Sequence, residues 1–282
     1  MTLPTMTIRG VSVPRFMYGT AWKEERTQAL TRLAIDAGFR AIDTANQRRH
    51  YVEAAVGAAV EDAIREGKVS RDELFLQTKF TFAPGQDHRL PYDPRAGFAE
   101  QVTQSFASSL EHLGTDVIDS YVLHGPSGSR GIGAADREVW AAMEALHDAG
   151  KARLLGVSNV SLGQLDALVG EARVPPAFVQ NRCFARTGWD REVRAFCAQH
   201  QIVYQGFSLL TANDRELHSP AVRSMLERTG KSLAQLVFRM AIQLGMLPLT
   251  GTSDVEHMRE DLAALDFELG DADVATLERI AG

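Results

Sequence analysis

Short apolar runs alternate with longer amphipathic stretches along the whole chain. Each run is bounded by glycine, proline or polar residues, the pattern of a strand buried on both faces. Strands are predicted at Arg15–Gly19, Arg40–Asp43, Leu74–Lys79, Asp119–His124, Leu154–Ser158, Phe178–Asn181, Val203–Gly206 and Met246–Leu249. Between them the apolar positions recur at helical spacing. Helices are predicted at Glu24–Ala37, Asp93–Leu113 and Ala135–Ala149, closed by Gly38, Gly114 and Gly150, because glycine tolerates the left-handed backbone that ends a helix. Ser161, Ser219 (followed by Pro220) and Ser232 are expected to cap Leu162–Glu171, Ala221–Thr229 and Leu233–Leu244.

Strands alternating with helices predict the α/β class. Eight such units with no intervening linker predict a single (β/α)8 TIM barrel, one domain over residues 1–282. Met6–Pro14, with Arg9-Gly10 at its middle, reads as a short N-terminal hairpin closing the barrel floor. Asp271–Ala281, after Gly270, reads as an extra C-terminal helix. Phe80–Tyr92 and His124–Ala134 are long connections that follow strands, so both lie on the face where such barrels carry their chemistry.

A formal net charge of −6, with no face on which Lys and Arg recur, argues against nucleic acid as a partner. The opening MTLPTMTIRG has no basic segment followed by an apolar one, and no window approaches about 18 uninterrupted apolar residues. A cytoplasmic protein without a membrane anchor is expected, as a monomer or small homo-oligomer. Cys183 and Cys197 have no CxxC partner and are read as reduced thiols in or near the core. The histidines include no HxH or HExxH spacing, so no metal is expected.

In a barrel, polar residues at strand C-termini face the active-site mouth. Here they are Asp43, Lys79, His124, Ser158 with Asn159, and Gln180 with Asn181. The Asp, Lys and His end three successive strands and would converge on one small volume. A lysine ending the apolar strand LFLQTKF needs a charged partner or water. Beside a carboxylate it can stay charged, and a charged lysine lowers the pKa of a neighbouring phenol. Tyr51, in NQRRHYVEAAVG, is the available phenol. His124 could hydrogen-bond a bound carbonyl oxygen and stabilise the charge developing there.

The segments GTAW (Gly19–Trp22), GFRAIDTA (Gly38–Ala45), LFLQTKF (Leu74–Phe80), IDSYVLHGP (Ile118–Pro126), GKARLLGVSN (Gly150–Asn159) and PPAFVQN (Pro175–Asn181) together resemble the aldo-keto reductase superfamily over nearly the whole chain. The resemblance implies reduction of a small-molecule aldehyde or ketone with NADPH, or less often NADH, by an Asp, Tyr, Lys, His tetrad. Asp43, Lys79 and His124 match by position. It further implies that Ser158, Asn159 and Gln180 hydrogen-bond the nicotinamide carboxamide and that Phe207 stacks on the ring. Gly19 and Thr20 would approach the cofactor, Ser208 and Leu210 would follow its pyrophosphate, and Trp22 would line the substrate pocket.

Two departures from the family pattern stand out. The family's tyrosine sits closer to the aspartate, where this chain has Arg48. Counted back from Gly57, the slot falls on His50, or on Tyr51 with one deletion. Tyr51 is the expected proton donor because a phenol is the required acid; His50 is its rival and otherwise a substrate-pocket residue. After the eighth strand the family's Pro-Lys-Ser, arginine and asparagine grip the adenosine 2′-phosphate and adenine. This chain has LPLTGTSDVEHMREDL, with Thr250, Gly251 and Thr252 in the lysine region and His257, Arg259 and Asp261 at the later positions. NADPH is expected, His257 or Arg259 substituting for the lost cation, with NADH as the alternative. Two other readings use the same barrel: a non-redox dehydratase or cyclase, and a cofactor-binding regulatory subunit like the potassium-channel β subunits.

Overall fold

The computed structural model describes residues 3–282. Two antiparallel strands, β1 (Thr5–Ile8) and β2 (Val11–Pro14), come first. They are joined at Arg9 and Gly10, both with positive φ (48° and 83°), the backbone a tight hairpin turn demands. The barrel strands follow as β3 (Met17–Gly19), β4 (Ala41–Asp43), β5 (Phe75–Phe80), β6 (Ile118–Leu123), β7 (Ala152–Ser158), β8 (Phe178–Arg182), β9 (Val203–Phe207) and β10 (Leu247–Thr250). All are parallel, each pairs with the next, and β10 closes the barrel by pairing β9 on one side and β3 on the other. The eight predicted strands are thus present, shifted by a residue or two at their ends.

The helices are α1 (Thr27–Ala37), α2 (Glu53–Arg65), α3 (Phe98–Leu113), α4 (Ala134–Asp148), α5 (Leu162–Glu171), α6 (Arg191–Gln199), α7 (Asp214–Leu217), α8 (Pro220–Thr229), α9 (Leu233–Gln243), α10 (Val255–Leu262) and α11 (Asp271–Glu278). The three predicted serine caps form: Ser161, Ser219 and Ser232 accept from the backbone N–H of Gln164, Val222 and Gln235. Helix α3 starts at Phe98 rather than Asp93. Pro94 follows Asp93, whose carboxylate turns to accept from the Arg95 N–H at 2.9 Å and so holds this segment in a turn. Helices α2, α6, α7 and α10 lie outside the predicted set.

Most of the core lies between the strands' outer faces and the helices. Helix α2 lies so close to the end of α3 that a Cβ on Gly57 would sit 1.8 Å from the His112 carbonyl oxygen. A second cluster fills the bottom of the barrel, where Ile8 and Val13 of the hairpin pack with Met17, Phe75, Phe178 and Leu247. Arg9 pins the hairpin there by donating to the carbonyls of Pro175 and Pro176, the second at 2.9 Å. The hairpin therefore closes the floor, as predicted, and leaves the polar C-terminal face as the open one. Among the described residues no helix is long and apolar enough to cross a membrane.

Candidate active site

Asp43 ends β4, Lys79 is the last residue but one of β5, and His124 directly follows β6. Their strands are neighbours, so the three side chains meet above the core. Lys79 is wholly buried and pairs with Asp43 at 2.6 Å (Nζ–Oδ1), and it also donates to the Thr44 carbonyl at 2.8 Å. Burial lowers the lysine's pKa, and the Asp43 charge opposes that shift.

Beneath the pair lies a layer of amides. Gln77, two residues before Lys79 and hence on the same face of β5, donates to Asp43 Oδ1 at 2.7 Å and exchanges hydrogen bonds with Gln205 of β9 at 2.8 and 2.9 Å. Gln180 of β8 donates to the same Asp43 oxygen at 3.0 Å and to Gln205 at 3.0 Å. Asp43 is thereby fixed by a buried network that spans the barrel.

Tyr51 arrives from the loop after β4, which coils so that the Gln47 carbonyl accepts from His50 N–H (3.3 Å) and Tyr51 N–H (3.1 Å). The loop is stitched to its neighbour after β5: Gln47 donates to Gly85 O, Gln86 to Asn46 O and Arg89 to Arg48 O, at 2.9, 2.8 and 2.6 Å. This coil takes up the extra residues between Asp43 and Tyr51. It brings the Tyr51 ring to 5.3 Å from Lys79 Nζ and 5.9 Å from the His124 ring. His50 instead stacks on Trp22, with ring centroids 3.8 Å apart, and its carbonyl accepts from the Trp22 N–H at 2.8 Å.

Burial, with the Asp43 carboxylate second, holds the Tyr51 phenol well above its usual pKa. The sequence led us to expect Lys79 to lower it. In this arrangement desolvation and the carboxylate raise it instead, and the phenol keeps its proton. His124 is held well below its usual value by burial first, then by Lys79 and His50, so its imidazole is neutral. Its Nδ1 lies 2.7 Å from Thr81 Oγ1.

The residues expected around a nicotinamide lie at the ends of β7, β8 and β9. Ser158 donates to the Gln180 carbonyl at 2.7 Å, while Asn159 (φ 53°) donates to the His124 carbonyl at 2.8 Å and to Ser158 Oγ at 3.1 Å. A groove of about 450 Å³ opens beside them, bounded by Asn159, Asn181, Arg182 and Phe184. Phe207 ends β9; Ser208 (φ 57°) and Leu210 begin a turn held by Asn213, which donates to Cys183 O and Leu209 O at 2.9 Å. Of the residues expected around the carboxamide, Asn159 lines this groove, while Ser158 and Gln180 lie buried next to it.

The first and last strand ends are joined. Thr20 donates through both N and Oγ1 to the Asp43 carbonyl at 3.0 Å, and a Cβ on Gly19 would be in ordinary contact with Thr250 O, at 3.4 Å. Lys23 donates to the Gly251 carbonyl and Tyr18 to that of Thr252. Asp261 is buried and accepts from Thr250 Oγ1 at 2.7 Å, its carboxyl pushed up by burial to about 6. It faces inward, bracing the loop. At the N-terminus of α10, Asp254 accepts from the N–H groups of Glu256 and His257 at 2.8 and 3.1 Å, and Arg259 pairs with Glu256.

Sequence reasoning missed Gln77, Gln205 and Thr81. The signal for Gln77 was its position two before Lys79, on the same face of the strand. It also missed Glu53, buried and paired with Thr78 and with His112 (2.8 Å) behind Lys79. Both cysteines are free and buried.

The family model described as "Aldo/keto reductase family" matches residues 5–281. An aldo-keto reductase of Mycolicibacterium vanbaalenii is 32% identical over 245 residues, covering 87% of this chain and 80% of the relative. An aldo/keto reductase structure from Brucella melitensis superposes with a TM-score of 0.82 at 28% identity, covering 99% of this chain and 100% of its own. A second solved aldo-keto reductase, complexed with NADPH, gives 0.84 at 25% identity, covering 99% of this chain and 88% of its own. The chain belongs to the aldo/keto reductase family of oxidoreductases.

Proposed function

We propose that this chain reduces an aldehyde or ketone to the alcohol with NADPH or NADH, and that Tyr51 donates the proton. The observation that carries the reading is the packing of the Tyr51 ring against both the Lys79 ammonium and the His124 imidazole. Bound nicotinamide supplies the hydride taken up by the carbonyl carbon. The NADPH seen in the related solved structure supports this choice of cofactor, as does the fit of Ser158, Asn159 and Gln180 to a carboxamide. Phe207 would flank its ring, Gly19, Thr20, Ser208 and Leu210 its phosphates, and Thr250, Gly251, Thr252 and His257 its adenosine end.

The remaining chemistry belongs to the side chains. Tyr51 holds its proton until negative charge develops on the substrate oxygen, then passes it to that oxygen. Lys79, kept charged by Asp43, stabilises the phenolate left behind. A Thr81 hydroxyl donating to Nδ1 leaves the His124 proton on Nε2, from where it hydrogen-bonds the carbonyl oxygen and orients it. Trp22 and His50 form a wall of the substrate pocket. The two free, buried cysteines suit the reducing cytoplasm.

The test compares Tyr51→Phe with His50→Gln. Tyr51→Phe should lower kcat on the order of a thousandfold while NADPH still quenches protein fluorescence as in the parent; His50→Gln should cost less than about tenfold. The reverse ranking would make His50 the acid. Turnover with no change at the NAD(P)H absorbance band would point to the non-redox reading.

A further inference from the structure

The residues that lengthen the loop after β4, Arg48, Arg49 and His50, take no part in the chemistry assigned to Tyr51. They do line the same pocket. A cavity of about 330 Å³ lies against Tyr51, with Trp22, Arg48, Arg49, His50 and Arg89 among its walls. The rings of Trp22 and His50, tilted by 33°, pack together in that lining, and three arginines contribute to it.

The arginines differ in their commitments. Arg89 is already held by Asp87 at 2.5 Å and uses a second donor on the Arg48 carbonyl. Arg48 is half-buried, its backbone fixed by that bond, Arg49 is exposed, and among the described residues neither forms an ion pair. A guanidinium without a counter-charge at a pocket wall is free to accept one, and its planar fork matches oxygen anions. Glu24 and Glu25, exposed, line the same cavity. They repel an anion, so a bound one is drawn to the arginines rather than to the cavity as a whole.

Resting on the carbonyl-reductase reading, we infer that the substrate carries an oxygen-anion group, a carboxylate or a phosphate. Arg48 and Arg49 grip that group while the carbonyl end faces Tyr51, and the Trp22–His50 wall covers the body of the molecule. The loop insertion that displaces Tyr51 along the sequence is, on this view, also what selects the substrate.

Two substrate pairs separate charge from shape: 4-carboxybenzaldehyde against its methyl ester, and glyceraldehyde 3-phosphate against glyceraldehyde, each with NADPH. The acidic member of at least one pair should be favoured in kcat/KM by about tenfold, mainly through KM. Raising salt to about 0.5 M should shrink that preference, and Arg48→Gln or Arg49→Gln should bring the acid-to-neutral ratio towards one. The pair that responds tells carboxylate from phosphate. Equal kcat/KM within both pairs, or a preference that survives in both variants, overturns the inference. Binding is read separately: Trp140 and Trp189 are buried while Trp22 is 69% exposed, so 4-methylbenzoate, but not 4-methylbenzamide, should quench the Trp22 emission. No reduction of any aldehyde, with the salt-sensitive quench intact, would sink the reductase reading and uphold the anion site; no quench and no acid preference would sink the anion site alone.

Discussion

Thr81 Oγ1 lies 2.7 Å from His124 Nδ1. Burial keeps the ring neutral and leaves one proton for two positions, so a Thr81 hydroxyl that donates to Nδ1 puts that proton on Nε2, as the proposed role of His124 requires. Thr81→Val removes the hydroxyl at nearly constant volume. It should lower kcat about tenfold with little change in KM, whereas Thr81→Ser should restore most of the rate. A loss that Ser does not rescue would mean that the methyl group matters, not the hydroxyl.

Gly57 marks the tightest approach between α2 and α3. A Cβ placed 1.8 Å from a backbone oxygen cannot be relieved by a rotamer change, so one helix must move. Gly57→Ala should destabilise the protein by about 3 kcal/mol, lowering Tm by roughly 5–10 °C in a domain of this size. An unchanged melting curve would show that the helices separate freely. Such a shift would also disturb the Glu53–His112 contact behind Lys79.

Asp261 makes stability depend on pH in a defined direction. Its folded pKa of about 6 lies above its ordinary 3.8 because burial penalises the carboxylate. Between these values the folded protein binds more protons than the unfolded chain, so its contribution falls as pH rises from about 4 to about 6, by at most about 3 kcal/mol. Asp261→Asn keeps an acceptor for Thr250 Oγ1 and loses the charge. The variant's advantage in urea unfolding should be larger at pH 7 than at pH 4; equal advantage at both would refute the assignment.

Asp254 occupies the N–H groups that open α10 and places a negative charge beside the loop expected to meet the adenosine end. A helix N-terminus otherwise favours an anion. Asp254→Asn retains the cap and should raise affinity for NADPH relative to NADH by about fivefold, measured by fluorescence titration of each. No change in the ratio would place the 2′-hydroxyl end elsewhere.

Much of this was legible in the chain. Barrel strands announce themselves as short apolar runs, and polar ends such as Asp43, Lys79 and His124 conflict with burial unless a site needs them. What escaped were features set by tertiary contact. Helix α6 begins after Trp189 and Asp190, both with φ of 59°, a start with no side-chain cap to read. Gln77 and Gln205 look like isolated polar residues until β5 and β9 face each other across the barrel. Asp261 occupies a position that resemblance assigns to cofactor, yet the hydroxyl of Thr250 turns it inward. The proposal of Tyr51 over its neighbour rests on the coil from Gln47 to Tyr51, which no local pattern encodes.

The closure of the barrel by β10 against β3, where Leu249 faces Met17, bears on how the molecule is made. During synthesis β10 emerges only after the other seven barrel strands, so a growing chain carries open strand edges until then. Such edges invite pairing with other chains, and pairings this distant in sequence form slowly. A ribosome that stalls before Leu247 would release a chain with unpaired edges on β3 and β9, a natural client for a chaperone.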